Sequence, residues 1–218
     1  MTWQKWSDEL KRIYLIRHGE TDWNVEGRWQ GNLDVPLGEI GHQQAQALAQ
    51  SLKDRPITAI YSSDLMRAWK TAESLAQAKE MTSHRDARLR ELNLGVFQGL
   101  THEEIRMKYS AEDDAMAADY MDYVVPEGES RRAMQERAFE IWHEIVAREP
   151  GPEIAVFSHG GTIRMLLMKL FPEEMERLTK VRIFNTSVTT IDTDGQTLYL
   201  VDLANVAHLD GFRHGDSP

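Results

Sequence analysis

Ile13-Tyr14-Leu15-Ile16-Arg17-His18-Gly19-Glu20-Thr21-Asp22-Trp23-Asn24 is the stretch on which the reading of this chain turns. Its first four residues are apolar and partly β-branched, the composition of a short buried strand. They run directly into Arg17 and His18, and Gly19 then lets the backbone turn. Open α/β sheets bind ligands just beyond the carboxyl ends of their strands. A guanidinium and an imidazole at such a point make an anion site that holds a nucleophile. The same residues also fit a buried Arg17 paired with Glu20 and a structural His18 ending the strand, so the rest of the chain has to decide.

Two further junctions have the same form. Ala59-Ile60-Tyr61-Ser62 reads as a second strand, and Ser63 or Asp64 can cap the helix after it. Leu65, Ala68, Trp69, Ala72, Leu75 and Ala76 form that helix's apolar stripe, which puts Arg67 in its first turn. Ile154-Ala155-Val156-Phe157 reads as a third buried strand, followed by Ser158-His159-Gly160-Gly161-Thr162 and another helix. Three strand-to-helix junctions thus present Arg17 with His18, Arg67, and His159. Buried cations without partners are costly, and convergence on a phosphoryl group compensates them. Arginine grips phosphate oxygens with a planar fork. Gly160-Gly161 leaves backbone amides free to approach an anion at a helix N-terminus.

Composition sets outer bounds. The chain has 218 residues, 41% hydrophobic and 28% charged, which suits one α/β domain spanning 1–218. Its formal charge of −10 argues against a nucleic acid partner, whose binding rests on phosphate neutralisation. A local arginine cluster still suits a small anionic metabolite. Without cysteine there is neither a disulfide framework nor a thiolate metal site. No run reaches the roughly 18 apolar residues of a membrane span, and Met1 to Arg12 carries no signal-peptide core. The expected location is cytoplasmic, and the sequence commits to no oligomeric state.

Between the junctions, residues 25 to 40 read as an ordered loop, followed by a helix burying Ala45, Leu48, Ala49 and Leu52 up to Pro56. Residues 80 to 100 lack a clean period, and Gly95 and Gly99 suggest a functional loop. Residues 101 to 130 fit either a helical insertion over the site or a solvated surface excursion. A long helix then buries Met134, Ala138, Ile141, Trp142, Ile145 and Val146. Strands are expected at 187–192 and 198–202, with a loose polar tail from Asn205. The expected fold is a three-layer αβα sandwich with a mostly parallel sheet and a small helical insertion at about 101–130.

On these motifs the chain resembles the histidine phosphatase superfamily, the phosphoglycerate-mutase-like enzymes. The resemblance rests on Arg17-His18-Gly19-Glu20-Thr21, Ser62-Ser63-Asp64-Leu65-Met66-Arg67-Ala68, Arg90-Glu91 and Ser158-His159-Gly160-Gly161, in that order. Gly31 with Asp34-Val35-Pro36-Leu37, Gly128-Glu129-Ser130 and Asn185 extend it over nearly the whole chain. It implies that His18 is a nucleophile that becomes transiently phosphorylated, with Arg17, Arg67 and His159 holding the transferring group. It implies phosphate contact by Asn24, a mouth lined by Gln30 and Gly31, and further substrate contacts at Gly160 and Asn185. The acid maps to Glu91, unless that carboxylate merely pairs with Arg88 or Arg90. No metal or cofactor is implied, because arginines replace the divalent ion, and the other histidines show no metal-ligand spacing.

Two departures matter. Gly38-Glu39 stands where the family often has Ser or Thr, so the next helix is weakly capped. The mutases' Glu-Arg-His-Tyr-Gly stretch is replaced by Glu91-Leu92-Asn93-Leu94-Gly95, which resembles the phosphatase branch. The expected activity is therefore a metal-independent phosphomonoesterase acting on small phosphorylated metabolites. A mutase and a catalytically silent binding module are the alternatives. Specificity is expected within 92–130 and around Trp23, Val25 and Trp29.

Overall fold

The apolar run at 13–16 lies in β1 (Lys11–Arg17), an interior strand of the sheet in the computed structural model, which describes residues 10–210. The others are β2 (Ile57–Ser62), β3 (Ser83–Arg85), β4 (Glu153–Ser158), β5 (Val188–Thr193) and β6 (Leu198–Asn205), in the order β3-β2-β4-β1-β5-β6. The first four in that order run parallel; β5 is antiparallel to β1, and β6 to β5. A strand covered on both faces reads as continuously apolar. Ile13 and Leu15 pack toward one helical layer and Tyr14 and Ile16 toward the other.

On the first side lie α6 (Arg131–Arg148) and α7 (Gly160–Leu170), with α8 (Met175–Lys180) beyond. On the second lie α2 (Glu39–Leu52) and α3 (Met66–Ala78). This is the expected three-layer sandwich. A four-residue helix, α1 (Asp22–Val25), closes the first motif and is capped by Thr21; the reading of 25–40 as loop begins just after it.

Several expectations need correcting. Neither Ser63 nor Asp64 caps α3: its N-cap is Leu65, and the Met66 amide donates to Asp34 Oδ1 at 2.5 Å. Ser63 is engaged elsewhere, as described below. β3 and α8 were not expected, because a three-residue polar edge strand and a six-residue helix are too short to show a period. The tail from Asn205 is tied down as far as the described residues extend: Leu209 is buried, and His208 Nε2 lies 3.0 Å from Thr186 Oγ1. Residues from 211 onward lie outside the described residues.

Residues 101 to 130 form α4 (His102–Lys108) and α5 (Ser110–Ala118) and are not a solvated excursion. Ile105, Met116 and Val125 are buried with Leu92, Leu94 and Phe97 against Met134 and Met165. The weak cap at Gly38 has a packing reason. No side chain caps α2, and its first turn lies on the signature loop so closely that a Cβ on Gly41 would stand 2.0 Å from Glu20 O.

Phe97 is fully buried in the insertion's core. Phe97→Ala is expected to lower unfolding free energy by about 3–5 kcal/mol, read by denaturant titration. Met107→Ala, at a residue 79% exposed, should change it by less than about 0.5 kcal/mol. Equal effects would mean that the insertion does not share the main core's cooperativity.

Candidate active site

The carboxyl ends of β1, β4 and β2 lie side by side and are locked in register beyond the strands. His18 N donates to Ser158 O at 3.0 Å, and Ser63 N to Phe157 O at 2.9 Å. That register brings the three chemistry-bearing junctions to one place. The His18 and His159 rings stand 5.1 Å apart between centroids.

His18 is 4% exposed, and its Nδ1–H donates to Gly19 O at 2.7 Å. The lone pair is then on Nε2. Burial, followed by the charges of Arg67 and Arg17, holds the His18 pKa well below the ordinary imidazole value. The ring is therefore neutral at physiological pH. Its backbone is pinned as well: His18 O accepts from Thr186 N at 3.2 Å and from Asn185 Nδ2 at 3.0 Å. Thr186 adopts φ +55, a region that non-glycine residues rarely occupy.

Arg17 donates from Nη1 to Ile183 O at 2.7 Å. Arg67, 1% exposed, donates to Leu33 O at 2.8 Å and Gly31 O at 2.7 Å. Burial lowers the pKa of each to about 10, against the attraction of Glu91, so both remain charged at neutral pH. The Nε atoms of Arg17 and Arg67 are buried with no hydrogen-bond partner among the described residues, and so is His159 Nδ1. His159 Nε2 lies 2.9 Å from Ser63 Oγ, which is where the hydroxyl read as a helix cap is used. Burial, then Arg67, also holds His159 well below the ordinary imidazole pKa.

Glu91 reaches the same place from the loop before the insertion. Its Oε2 accepts from Gly161 N at 2.9 Å, and its Oε1 from Leu92 N at 2.9 Å and Thr162 Oγ1 at 3.3 Å. A Cβ on Gly161 would lie 2.5 Å from Glu91 Oε1, so glycine is needed for this approach. The ion-pair alternative fails: Arg88 pairs with Asp86 and Glu144, and Arg90 with Asp64.

The remaining expected residues divide. Gln30 is buried, donates from Nε2 to Thr21 Oγ1 at 2.8 Å, and leaves Oε1 unpartnered. Gly31 (φ +52) contributes the carbonyl that takes Arg67, and a Cβ on Gly160 would lie 3.5 Å from Arg17. Asn24 Oδ1 accepts from Thr21 and from Asn185 Nδ2, so Asn185 braces the His18 turn and Asn24 together. The sequence reading missed Ser63's contact, Thr186 and Arg137. Arg137 donates to the carbonyls of Arg88, Arg90 and Glu91 and holds the acid's segment. Its signal was a charged residue beside an apolar stripe. Among the described residues, no three His, Asp or Glu side chains gather as metal ligands, and no helix is long and apolar enough to cross a membrane.

A sequence model described as histidine phosphatase superfamily (branch 1) matches residues 13–206. Phosphoglycerate mutase-like protein 4 of Arabidopsis thaliana is 36% identical over 209 residues, covering 93% of this chain and 88% of its own. Among solved structures, Bacillus stearothermophilus YhfR superposes with a TM-score of 0.82 at 34% identity, over 91% of this chain and 99% of that one. The mycobacterial glucosyl-3-phosphoglycerate phosphatase complexed with VO3 gives 0.78 at 33% identity, over 90% of this chain and all of that one.

The two neutral imidazoles make stability depend on pH. In the unfolded chain a histidine titrates near pH 6.5, whereas in the fold both pKa values lie well below that. Above about pH 6.5 neither state binds the protons. As pH falls below it, the unfolded chain takes up protons that the folded one does not, and stability drops. Each histidine contributes a slope of at most about 1.4 kcal/mol per pH unit. Denaturant unfolding at pH 7, 6 and 5 should therefore show a shallower decline for His18→Gln than for the parent. Identical slopes would mean that His18 titrates alike in the folded and unfolded chains.

Proposed function

Because the chain belongs to the histidine phosphatase superfamily, we propose that it hydrolyses small phosphomonoesters through a phosphohistidine on His18, with no metal in the reaction. The observation that carries this reading is the set of three buried nitrogens without partners, Arg17 Nε, Arg67 Nε and His159 Nδ1, beside a neutral imidazole. Each of these side chains is held by another of its nitrogens to the protein, so a donor is left fixed in place for an anion. Preorganised donors of this kind stabilise a transferring phosphoryl group without reorganising during the reaction.

In the first step His18 Nε2 forms a bond to phosphorus while the bond from phosphorus to the ester oxygen breaks. Glu91 gives its proton to the departing alkoxide. Water then attacks the phosphohistidine, Glu91 takes the water's proton, and the bond from phosphorus to nitrogen breaks to release phosphate. Arg17, Arg67, His159 and Gly160 at the start of α7 bear the charge that spreads over the equatorial oxygens. Gln30 and Gly31 line the mouth, while Asn24 and Asn185 keep the His18 turn in position.

A mutase would share the first step and differ in the acceptor, a second hydroxyl in place of water. The phosphatase reading is favoured by the segment after Glu91, whose Leu92, Leu94 and Phe97 are committed to the insertion's core. A silent binding module is disfavoured, since every group the chemistry needs is present in the site.

The direct test is chemical. Enzyme mixed with a ³²P-labelled ester should carry label that survives alkaline quench and is lost in acid, as a phosphohistidine requires. His18→Ala should remove both label and turnover while leaving the unfolding midpoint nearly unchanged. Acid-stable label, or turnover in the variant, overturns the assignment.

Glu91→Gln tests the acid. General acid catalysis is worth about 10²–10⁴ in rate, and it matters most when the leaving group is a strong base. Single-turnover phosphorylation by an alkyl phosphate should slow by that order, whereas phosphorylation by p-nitrophenyl phosphate should slow only mildly. The phosphoenzyme should then accumulate, because its hydrolysis lacks a base. A uniform loss with both esters would make Glu91 a positioning residue.

A further inference from the structure

The guanidinium of Arg67 is aimed by a loop. Its Nη1 donates to Leu33 O at 2.8 Å and its Nη2 to Gly31 O at 2.7 Å, while Nε has no partner among the described residues. Two hydrogen bonds to a planar fork fix its plane as well as its position. The direction of the remaining N–H therefore follows whatever fixes the peptide units of residues 31 to 33.

Asn32 lies between those two carbonyls, and its backbone N–H donates to Gln98 Oε1 at 2.6 Å. Gln98 is half-buried on the segment that leads into the insertion, directly after the buried Phe97. Its carboxamide fills the space that glycine leaves at position 31. A Cβ there would lie 2.3 Å from Gln98 Oε1 and 2.8 Å from Gln98 Cγ. Gly31 also has φ +52, so the turn and the seat for Gln98 both require glycine.

The backbones leading to this contact are paired. Gly99 N donates to Trp29 O at 2.8 Å, and Trp29 N to Leu100 O at 2.9 Å. Main-chain bonds thus deliver Gln98 to the loop, and its side chain alone carries the contact onward to Asn32. An apolar side chain of the same length could pack there but would leave the Asn32 N–H without its acceptor.

We propose that Gln98 is a positioning residue for the phosphoryl clamp, holding the 31–33 loop so that Arg67 presents its unpartnered N–H to the transferring group. The inference rests on the reading of Arg67 as part of that clamp and adds what aims it. Gln98 touches Gly31 and Asn32, and it acts on the anion only through Arg67.

Calorimetric binding of inorganic phosphate is the readout, since it needs no turnover. Gln98→Met keeps the length of the side chain and removes the acceptor. It should weaken phosphate about threefold to tenfold. Arg67→Lys, which keeps the charge and loses the fork, should weaken it further. The two losses should not add. In an Arg67→Lys background Gln98→Met should cost less than about twofold, because the fork it aims is gone. In an Arg17→Lys background it should cost the full factor, since Arg17 is held separately by Ile183 O. The same pattern is expected in kcat/KM for p-nitrophenyl phosphate. Gln98→Ala, which removes the bulk as well as the acceptor, should reproduce it, with each variant's unfolding midpoint measured alongside.

Unchanged phosphate affinity in both Gln98 variants overturns the proposal, whatever happens to the unfolding midpoint. An equal loss in the Arg67→Lys and Arg17→Lys backgrounds overturns it too, because Gln98 would then act on the site as a whole. Failure of the clamp reading looks different: phosphate would not bind the parent, or would bind Arg67→Lys equally well. A parent that binds phosphate and loses it with Arg67→Lys, but not with either Gln98 variant, defeats the role of Gln98 alone.

Discussion

An imidazole that attacks phosphorus has to be uncharged while surrounded by the cations that hold its target. In this protein the same burial meets both needs. It keeps His18 and His159 neutral and leaves Arg17 and Arg67 charged, because a guanidinium lowered to about 10 remains protonated. Backbone carbonyls hold the arginines: Ile183 O for Arg17, Gly31 O and Leu33 O for Arg67. A carbonyl dipole fixes a guanidinium without cancelling its charge. Had carboxylates held them, as Asp64 holds Arg90, the field would be spent within the protein.

Such an arrangement needs a rigid frame, and the mixed sheet supplies it. The antiparallel β5 lies beside β1, so the residues before it reach the end of β1 directly. Arg17 N donates to Ser187 O, and Thr186 N is shared between the carbonyls of Arg17 and His18. Thr186 at φ +55 stores roughly 1–3 kcal/mol of strain, held in place by its burial and by His208 at its hydroxyl. On the opposite side α2 presses on the loop through Gly19 and Gly41, where any side chain would collide with backbone. The His18 turn is thus fixed by main-chain contacts from both sides.

What the sequence made legible follows from length and covering. Strands β1, β2 and β4 are covered on both faces, so each appears as an apolar run that ends in a polar, chemistry-bearing junction. β3 and α8 are short and shaped by their neighbours, which leaves no period to read. Ser63 and Asp64 had the composition of a cap, but tertiary contacts won. Ser63 meets His159, Asp64 pairs with Arg90, and Asp34 reaches across to the Met66 amide. Asn185 was legible from the motif, and what the sequence does not show is that its amide also braces the His18 turn. Glu91 was legible only as part of a motif, because its partners Gly161 and Thr162 lie some seventy residues away.

Helix α6 separates two tasks that the chemistry would otherwise mix. His18 and His159 follow directly on sheet strands, whereas the backbone around Glu91 and the insertion are anchored on this helix. Arg137 binds the carbonyls around Glu91, Glu129 just before the helix accepts from Asn93 N, and Met134 belongs to the insertion's core. Changes within 101–130 can therefore reshape the packing beside the Glu91 segment without disturbing the β1 turn that holds His18. They act near Glu91, however, so under the proposed chemistry the leaving group and the proton delivered to it would be tuned together.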